Sequence, residues 1–211
     1  MLIRLLILHT KILSDKNIVD IISKKRLCQS FRTLTKSISK KMNKNIILRK
    51  AVANEASIIW EILAAAIQRR KADGSDQWQD GYPFEETIKN DITQGYAYVV
   101  TLEQEIIAYV VISDKEEPTY KEIKGAWLNN EPYTVIHRMA VGEKGRGKGI
   151  ASYIMEQAEE ISMENSIFSI RVDTNFDNYV MKHILEKKNY AYCGIIQVRD
   201  GEREAFQKNL R

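Results

Sequence analysis

Hydrophobic and polar positions in the first part of residues 45–211 change from strand spacing to helix spacing. Residues 45–50 form a short β-rich run, and Asn54, just after it, is predicted to cap a helix. The apolar positions that follow recur at helical spacing and predict one buried face: Ile58, Ile59, Ile62, Leu63, Ala66 and Ile67. Residues 71–83 are rich in turn-forming residues, so we expect the helix to end there.

A second helix and a hairpin are predicted next. Pro83 is placed to open a short helix that continues to about Thr93, and Gly95 is placed to end it. Residues 96–102 and 106–113 are two β-rich runs joined by a short polar turn, which is the pattern of a hairpin.

The second half of the sequence alternates between strands and helices after a long polar connection. The strands are predicted at residues 133–141, 166–174 and 190–198, with a further one at 203–207. Two apolar stripes mark the helices between them: Ile150, Ile154, Ala158 and Ile161 up to about Asn165, then Val180, Met181, Ile184 and Leu185. This order predicts an α/β protein with a mixed, crossover-connected sheet.

Length and composition favour one domain in a reducing compartment. A chain of 211 residues with 44% hydrophobic residues can bury one sizeable core. Its longest apolar stretch, residues 2–13, is interrupted by Arg4, His9 and Lys11, so we expect neither a membrane span nor a signal peptide. Cys28 and Cys193 do not form a disulfide framework or a metal motif, so we expect no metal and a cytoplasmic location.

Nearly all of the positive charge lies in the first fifth of the chain. Residues 1–44 carry 11 Lys/Arg against Asp15 and Asp20, and residues 45–211 carry 21 Lys/Arg against 26 Asp/Glu. The balances of +9 and −5 together give the net charge of +4. We interpret residues 1–44 as a basic extension. It is either poorly ordered, a binding segment for an anionic partner, or a targeting segment. Alternatively, translation of the natural protein begins at Met42, and residues 1–41 are not part of it.

Four glycines fall within eight residues between the strand at 133–141 and the next helix: Gly142, Gly145, Gly147 and Gly149. Glycines leave backbone N–H groups uncovered, and a helix N-terminus adds further donors, so this loop is suited to a phosphate. Arg146 and Lys148 add positive charge. The alternative is that the glycines serve only as a helix cap or for tight packing.

Two common phosphate loops do not match this segment. The nucleoside triphosphate loop requires Ser or Thr after its lysine, where this chain has Gly149. The dinucleotide fingerprint fails in both frames, because Ile150 or Ser152 occupies the place of its last glycine.

The run Arg146-Gly147-Lys148-Gly149-Ile150-Ala151, following Met139-Ala140-Val141, resembles the coenzyme A loop of the GNAT superfamily of N-acetyltransferases. The resemblance covers about residues 46–208. It implies a single-domain, mostly antiparallel twisted sheet flanked by helices, with acetyl-CoA in a cleft beside the central strand. It also implies that backbone groups of residues 139–141 pair with pantetheine, that residues 146–151 bind the pyrophosphate, and that Asn178 lies beside the coenzyme unless it is an ordinary helix cap.

His137 is the predicted general base, since an amine must lose protons during acetyl transfer and a base that titrates near neutrality suits that task. Strand alternation predicts that it lies on the same face as Met139 and Val141. The alternative is a histidine at the edge of the core, with Glu131 and Asp173 as fallback carboxylates. The backbone amide near Val141 is the oxyanion donor that the resemblance implies.

The general acid is harder to assign. Many members of the superfamily have a tyrosine seven residues after the position of Asn178, and this chain has Leu185 there. Tyr190, Tyr192 and Cys193 lie just beyond it, and we take Tyr190 as the candidate; packing alone, with solvent as the proton source, is the alternative.

Two aromatic segments could form the acceptor site, and with Asp80 and Glu131 they would suit a cationic amine. The candidate acceptor residues are Trp78, Tyr82, Trp127, Glu131, Tyr133 and Asp173. Either tryptophan could instead fill the core. A polyamine, an aminosugar, an amino acid and a protein N-terminus all remain open as acceptors.

The sequence therefore predicts an N-acetyltransferase that moves an acetyl group from acetyl-CoA to a primary amine of a small molecule or peptide, by direct transfer in a ternary complex. The alternatives are a non-catalytic acetyl-CoA-binding regulatory module, because of Leu185, and an enzyme acting on aminoacyl-tRNA, because of the basic residues 1–44. The acidic balance of residues 45–211 argues against a nucleic acid partner. A homodimer is left open.

Overall fold

Eight strands and four α-helices are formed by residues 46–211, the part of the chain that the computed structural model describes. The strands are β1 (Ile46–Lys50), β2 (Ala97–Leu102), β3 (Glu105–Ser113), β4 (Ile123–Gly125), β5 (Thr134–Val141), β6 (Ser169–Thr174), β7 (Ala191–Val198) and β8 (Gly201–Asn209). The helices are α1 (Ala56–Ala72), α2 (Glu85–Thr93), α3 (Ile150–Glu164) and α4 (Tyr179–Lys187). The interpretations of residues 1–44 lie outside the described residues.

The strands form one mixed sheet in the order β1-β2-β3-β5-β6-β8-β7-β4. β5 and β6 run parallel, joined by the crossover helix α3, and every other neighbouring pair of the described strands is antiparallel. The prediction of a mixed, mostly antiparallel sheet flanked by helices is confirmed. Within residues 46–211 no helix is long and apolar enough to cross a membrane.

Helices cover both faces of the sheet. On one face α3 and α4 pack on the strands through residues such as Ile154 and Leu185. On the other face α1 and α2 pack through residues such as Leu63 and Ile88. All four side chains are fully buried, and burying each one stabilises the fold by about 1.5–3 kcal/mol. The apolar stripes read from the sequence are therefore largely the faces that the helices bury, but Ile58 and Val180, which were predicted in these stripes, are exposed.

Several predicted boundaries were wrong. Asn54 does not cap α1, because residues 53–55 form a 3-10 turn and α1 begins at Ala56. Glu55 stabilises this start by accepting a hydrogen bond from Val52 N at 2.9 Å. α2 begins at Glu85 rather than at Pro83.

One strand was missed and one is longer than predicted. The connection before β5 contains β4, whose three residues are too short for an alternating pattern to be visible. β4 is held to β7 by a close backbone approach: a Cβ on Gly125 would lie 2.1 Å from the carbonyl oxygen of Cys193. β8 spans nine residues where five were predicted.

Candidate active site

β5 and β6 pair only over their first residues and then separate. Their register ends at Ile136 opposite Val172, while β5 continues to Val141. Residues 137–141 of β5 therefore pair with β3 on one edge and with no described strand on the other. The space between the diverging strands is part of a cleft of about 400 Å³.

The cleft is lined by side chains from β5, β6, α4, the end of β7, the start of β8 and four connections. These are Gln77, Trp78, Tyr82, Glu117, Thr119, Ile136, His137, Arg138, Met139, Val172, Asp173, Thr174, Asn178, Met181, Val198, Arg199, Asp200 and Arg203. Five predicted acceptor, catalytic or coenzyme side chains are brought together here: Trp78, Tyr82, His137, Asp173 and Asn178. Met139, another predicted coenzyme contact, lines the same cleft.

A β-bulge in β5 shapes the cleft. Tyr109 of β3 pairs with Ala140, and Val111 pairs with His137. The paired positions are therefore two residues apart on β3 and three residues apart on β5. The extra residue lies at Arg138, whose φ of 49° is in the left-handed region. The predicted alternation is wrong for this reason: Met139 packs on the α3 side of the sheet, whereas His137 lies beside Tyr120 of another cluster.

The imidazole of His137 lies between two carboxylates. Its Nε2 is 3.1 Å from Oε2 of Glu117, and its Nδ1 is 3.8 Å from Oδ1 of Asp173. Tyr120 donates its hydroxyl to the same Oδ1 of Asp173 at 2.6 Å. Residues from two other segments, the turn at residues 117–121 and β6, therefore hold the ring and place a carboxylate on each side of it.

Glu117 is held in place by its own turn. It caps the 3-10 turn at Pro118–Lys121, and its Oε1 accepts from Thr119 N at 3.2 Å and from Thr119 Oγ1 at 2.9 Å. The hydrogen bond with His137 lowers the pKa of Glu117 to about 2, against the opposing effect of burial. An ionised carboxylate can only accept, so Nε2 of His137 carries the hydrogen, and Nδ1 of the neutral ring is left with a lone pair.

Arg138 connects the bulge to α2 and to the cleft. Its Nε and Nη2 donate to the two carboxylate oxygens of Asp91 at 2.9 and 2.7 Å, and Tyr109 donates to the same carboxylate at 2.6 Å. Its Nη1 donates to the hydroxyl of Tyr82 at 2.7 Å. The buried ion pair thus compensates the charge of Arg138 and fixes the Tyr82 ring at the cleft.

Residues 199–203 contribute two further ion pairs to the cleft. Arg203 donates to Asp200 at 2.6 Å, and both side chains are nearly fully buried. Arg199 pairs with Asp80 and lies 4.4 Å over the ring of Tyr82. Asp80, which the sequence suggested for an amine, is therefore occupied by an arginine.

The glycine loop combines tight packing with open backbone. A Cβ on Gly145 would lie 2.9 Å from Cγ1 of Val141, so this position requires close approach. Gly147 and Gly149 have φ of 70° and 75°, and a Cβ on either would meet no atom within 4 Å. Their outer side is open, as a ligand approaching the backbone requires.

The N-terminus of α3 presents uncovered donors beside this loop. Gly149 is its N-cap and supplies no side-chain cap, and the first helical bond runs from Tyr153 N to Gly149 O at 3.0 Å. The N–H groups of residues 150–152 thus have no acceptor within the helix. Arg146 and Lys148 are exposed next to them, and Arg146 forms only a surface ion pair with Glu143.

Val141 and Asn178 connect this loop to the cleft. Gly142 N donates to Ile107 O on β3, so the backbone groups of Val141 point away from β3. The Val141 carbonyl accepts a hydrogen bond from Arg69 at 2.8 Å, so the N–H of Val141 is the backbone group that can bind a ligand here. Asn178 caps α4 by accepting from Met181 N at 3.2 Å while it also lines the cleft, so both sequence interpretations of this residue can hold together.

Other predicted site residues lie elsewhere. Tyr190 is buried in the α3 and α4 cluster and is not among the residues that line the cleft; Leu185 is fully buried there as well. Trp127 and Tyr133 pack against Tyr120 in a core cluster, at 5.1 and 6.1 Å between ring centroids. Tyr133 supports Glu117, whose N–H donates to its hydroxyl at 3.3 Å.

Two further candidates, Glu131 and Cys193, do not line the cleft. Glu131 is exposed on the connection before β5, and its N–H donates to the side chain of Asn129 at 3.2 Å. Cys193 is a buried free thiol whose pKa is raised by burial. No group of three or more His, Cys, Asp or Glu residues within residues 46–211 is arranged to hold a metal ion.

Sequence reasoning missed several cleft residues, above all Glu117 and Arg138. A signal existed for each of these two. Glu117 precedes Pro118, which is the pattern of a capped turn. Arg138 is a charged residue inside an otherwise apolar strand, which indicates a buried partner. Arg199, Asp200 and Arg203 lie in the β7–β8 turn and the start of β8 and gave no such signal.

Comparisons with known proteins agree with this geometry. The family model described as Acetyltransferase (GNAT) family matches residues 61–190. The crystal structure of a GNAT-family acetyltransferase from Streptococcus agalactiae is 34% identical, with a TM-score of 0.71 over 78% of this chain and 95% of that chain. A GNAT-family acetyltransferase from Listeria monocytogenes is 19% identical, with a TM-score of 0.64 over 78% of this chain and 95% of that chain.

A third structure contains the coenzyme. The structure of yncA from Salmonella typhimurium with its cofactor acetyl-CoA is 12% identical, with a TM-score of 0.57 over 80% of this chain and 95% of that chain, and shares the fold. A search of curated proteins gave no match. The family model covers more than half of the chain, so the chain belongs to the acetyltransferase (GNAT) family and is an acyltransferase that takes its acetyl group from acetyl-CoA.

Proposed function

We propose that this chain transfers the acetyl group of acetyl-CoA to a primary amine of a small molecule or peptide, directly, within a ternary complex. The observation that carries the proposal is the imidazole of His137, fixed by Glu117 at the place where β5 leaves β6. A base held in this way can accept a proton from an amine in the cleft.

The described residues fit the coenzyme. The unpaired edge of β5 at residues 139–141 suits an extended pantetheine arm, and the N–H of Val141 points toward the same side. The open backbone of residues 146–151 and the uncapped start of α3 suit the pyrophosphate, with Arg146 and Lys148 adding charge. Asn178 lines the cleft next to this edge. When bound, acetyl-CoA supplies the acetyl group as a reactive thioester.

His137 would act through Nδ1. An alkyl amine resembles the lysine side chain, whose reference pKa is about 10.4, so it arrives largely as an ammonium group and must lose a proton before it can attack. Nδ1 carries the lone pair because Nε2 donates to Glu117. The imidazolium that forms is stabilised by Glu117 on one side and by Asp173 on the other.

Trp78 and Tyr82 would form the wall of the acceptor site. Both line the cleft with His137, and Tyr82 is fixed by its hydrogen bond from Arg138. A rigid aromatic wall orients a small acceptor with little loss of side-chain entropy. Of the six candidate acceptor residues, the proposal retains Trp78, Tyr82 and Asp173.

The direct test is to incubate the protein with acetyl-CoA and a panel of primary amines, following the free thiol and the acetylated amine together. We expect thiol and amide to form in equal amounts, and only when both substrates are present. Thiol release without an acetylated amine, or tight acetyl-CoA binding without release for any amine, would rule the proposal out.

A further inference from the structure

The charged side chains that line the cleft carry a net negative charge when they are counted together with Asp91 and Asp80, the ion-pair partners of two of them. Three arginines among the described residues line it, and each already has a carboxylate partner. The pairs are Arg138 with Asp91, Arg199 with Asp80, and Arg203 with Asp200. An arginine that is already paired offers little attraction to a further anion.

Two carboxylates remain beyond these pairs. Glu117 and Asp173 both line the cleft, and the titratable cation-forming group between them is His137. With a neutral imidazole, this end of the cleft carries two negative charges. The side chain of Asp173 is only 15% exposed, and its Oδ2 has no hydrogen-bond partner among the described residues. Partly buried charge of this kind is stabilised by a cation.

We propose that the acceptor is a cationic amine with no carboxylate or phosphate group beside its reacting nitrogen, and that its ammonium group binds between Asp173 and Nδ1 of His137. The inference rests on the proposed function and narrows its acceptor. The Nδ1 to Oδ1 distance of 3.8 Å is too long for a direct hydrogen bond, so an ammonium group with several N–H donors can bind to both acceptors.

This placement also explains how the ammonium group loses a proton before it reacts. One N–H bond of the ammonium breaks, and its proton forms a bond with Nδ1 of His137. The product is a neutral amine and an imidazolium cation between Glu117 and Asp173. The nitrogen lone pair released in this step is the pair that attacks in acetyl transfer.

An α-carboxylate on the acceptor would be repelled in the same position. It would lie close to Asp173 and Glu117, and Arg199 and Arg203, which also line the cleft, are already bound to Asp80 and Asp200. Like charges that meet in a partly desolvated site lower affinity, and this repulsion provides specificity against amino acids.

Matched pairs of amines test the inference through binding as well as turnover. The pairs are 2-phenylethylamine with phenylalanine and 3-methylbutylamine with leucine, each titrated by calorimetry into the full chain saturated with coenzyme A. We expect each amine to bind about tenfold or more tightly than its carboxylated partner. Equal affinity, preference for the amino acids, or no binding of any of the four at millimolar concentration would overturn the inference.

Two variants test its cause. Asp173→Asn should reduce the preference for the amine, because one of the repelling charges is removed. Asp80→Asn should favour the amino acid by several-fold, because it frees Arg199 for a carboxylate. Glu156→Gln is the control, because it breaks an ion pair with Lys188 away from the cleft. It should leave the preference for the amine unchanged. An unchanged preference in both cleft variants would contradict the inference.

Binding and turnover separate this inference from the proposed function. If the amines bind preferentially but none is acetylated, the proposed function fails and the charge selectivity stands. If amino acids are acetylated in preference to amines, the proposed function stands and the charge selectivity fails.

Discussion

Nε2 of His137 lies 3.1 Å from Oε2 of Glu117, although the two residues are 20 positions apart in the sequence. This contact decides which ring nitrogen carries the hydrogen and which can accept a proton. Glu117 is therefore a positioning residue for the proposed reaction.

Glu117→Gln should lower kcat by about tenfold or more, because the amide can rotate to donate to Nε2 and favour the wrong tautomer of His137. The dissociation constant for acetyl-CoA, measured by calorimetry, should not change. Glu116→Gln is the matched control, since Glu116 is 77% exposed and pairs only with Lys121. Equal kcat values for the two variants would contradict the role of Glu117.

Glu117 should also affect stability in acid. Its pKa is lowered in the fold from 4.5 to about 2, chiefly by the hydrogen bond with His137. A depressed pKa stabilises the fold fully above the unfolded value, and this contribution is lost as pH falls through the folded value. The free energy of unfolding in urea should fall less between about pH 5 and pH 2 in Glu117→Gln than in the parent chain. If the free energy of unfolding depends on pH in the same way in both proteins, Glu117 does not contribute to stability in acid.

Asp91→Asn should destabilise the fold strongly. The substitution leaves Arg138 buried without its bidentate partner, and breaking a buried ion pair from one side costs about 3–5 kcal/mol. Lys124→Gln, which breaks an exposed pair with Glu202, is the control and should have a far smaller effect. Chemical denaturation of both variants measures the difference, and similar losses would refute the importance of the Arg138 pair.

Gly149→Ala should weaken coenzyme A binding, and the loss of folding stability that the substitution causes should not account for this weakening. Gly149 has φ of 75° at the start of α3, and the added methyl group would cover open backbone donors. Gly95→Ala is closely matched: its φ is 74°, and a Cβ there also meets no atom within 4 Å. Both should lose about 1–2 kcal/mol of stability. Only Gly149→Ala should raise the dissociation constant for coenzyme A; equal affinities would exclude the loop as the pyrophosphate site.

The sequence was most informative where local chemistry determines structure. Residues 142–151 indicated a phosphate ligand because glycine spacing and interleaved cations are read directly from neighbouring residues, and the family assignment that their resemblance to a coenzyme A loop suggested is confirmed. Most of each buried helix face was predicted because a 3.6-residue period reports burial, but the period also included Ile58 and Val180, which are exposed. The roles of the individual loop residues stay predictions.

The geometry of the site depends on contacts that spacing does not report. Strand alternation predicted the wrong face for His137, because the bulge at Arg138 inserts one residue, and that bulge is supported by Asp91 from a distant helix. Glu117 reaches His137 from a turn in a connection that has little periodicity. Tyr190 was suggested by its position in the sequence, but it packs in the core.

The role of His137 is tested most directly by the pH dependence of kcat/KM for acetyl-CoA, compared between the parent chain and His137→Gln. The primary amine is kept saturating, and the affinity for acetyl-CoA is measured in parallel. The parent should lose activity as pH falls through the titration of one group, and His137→Gln should lack this limb, be slower by about a hundredfold and bind acetyl-CoA normally. The same limb and rate in both proteins would show that His137 is not the base.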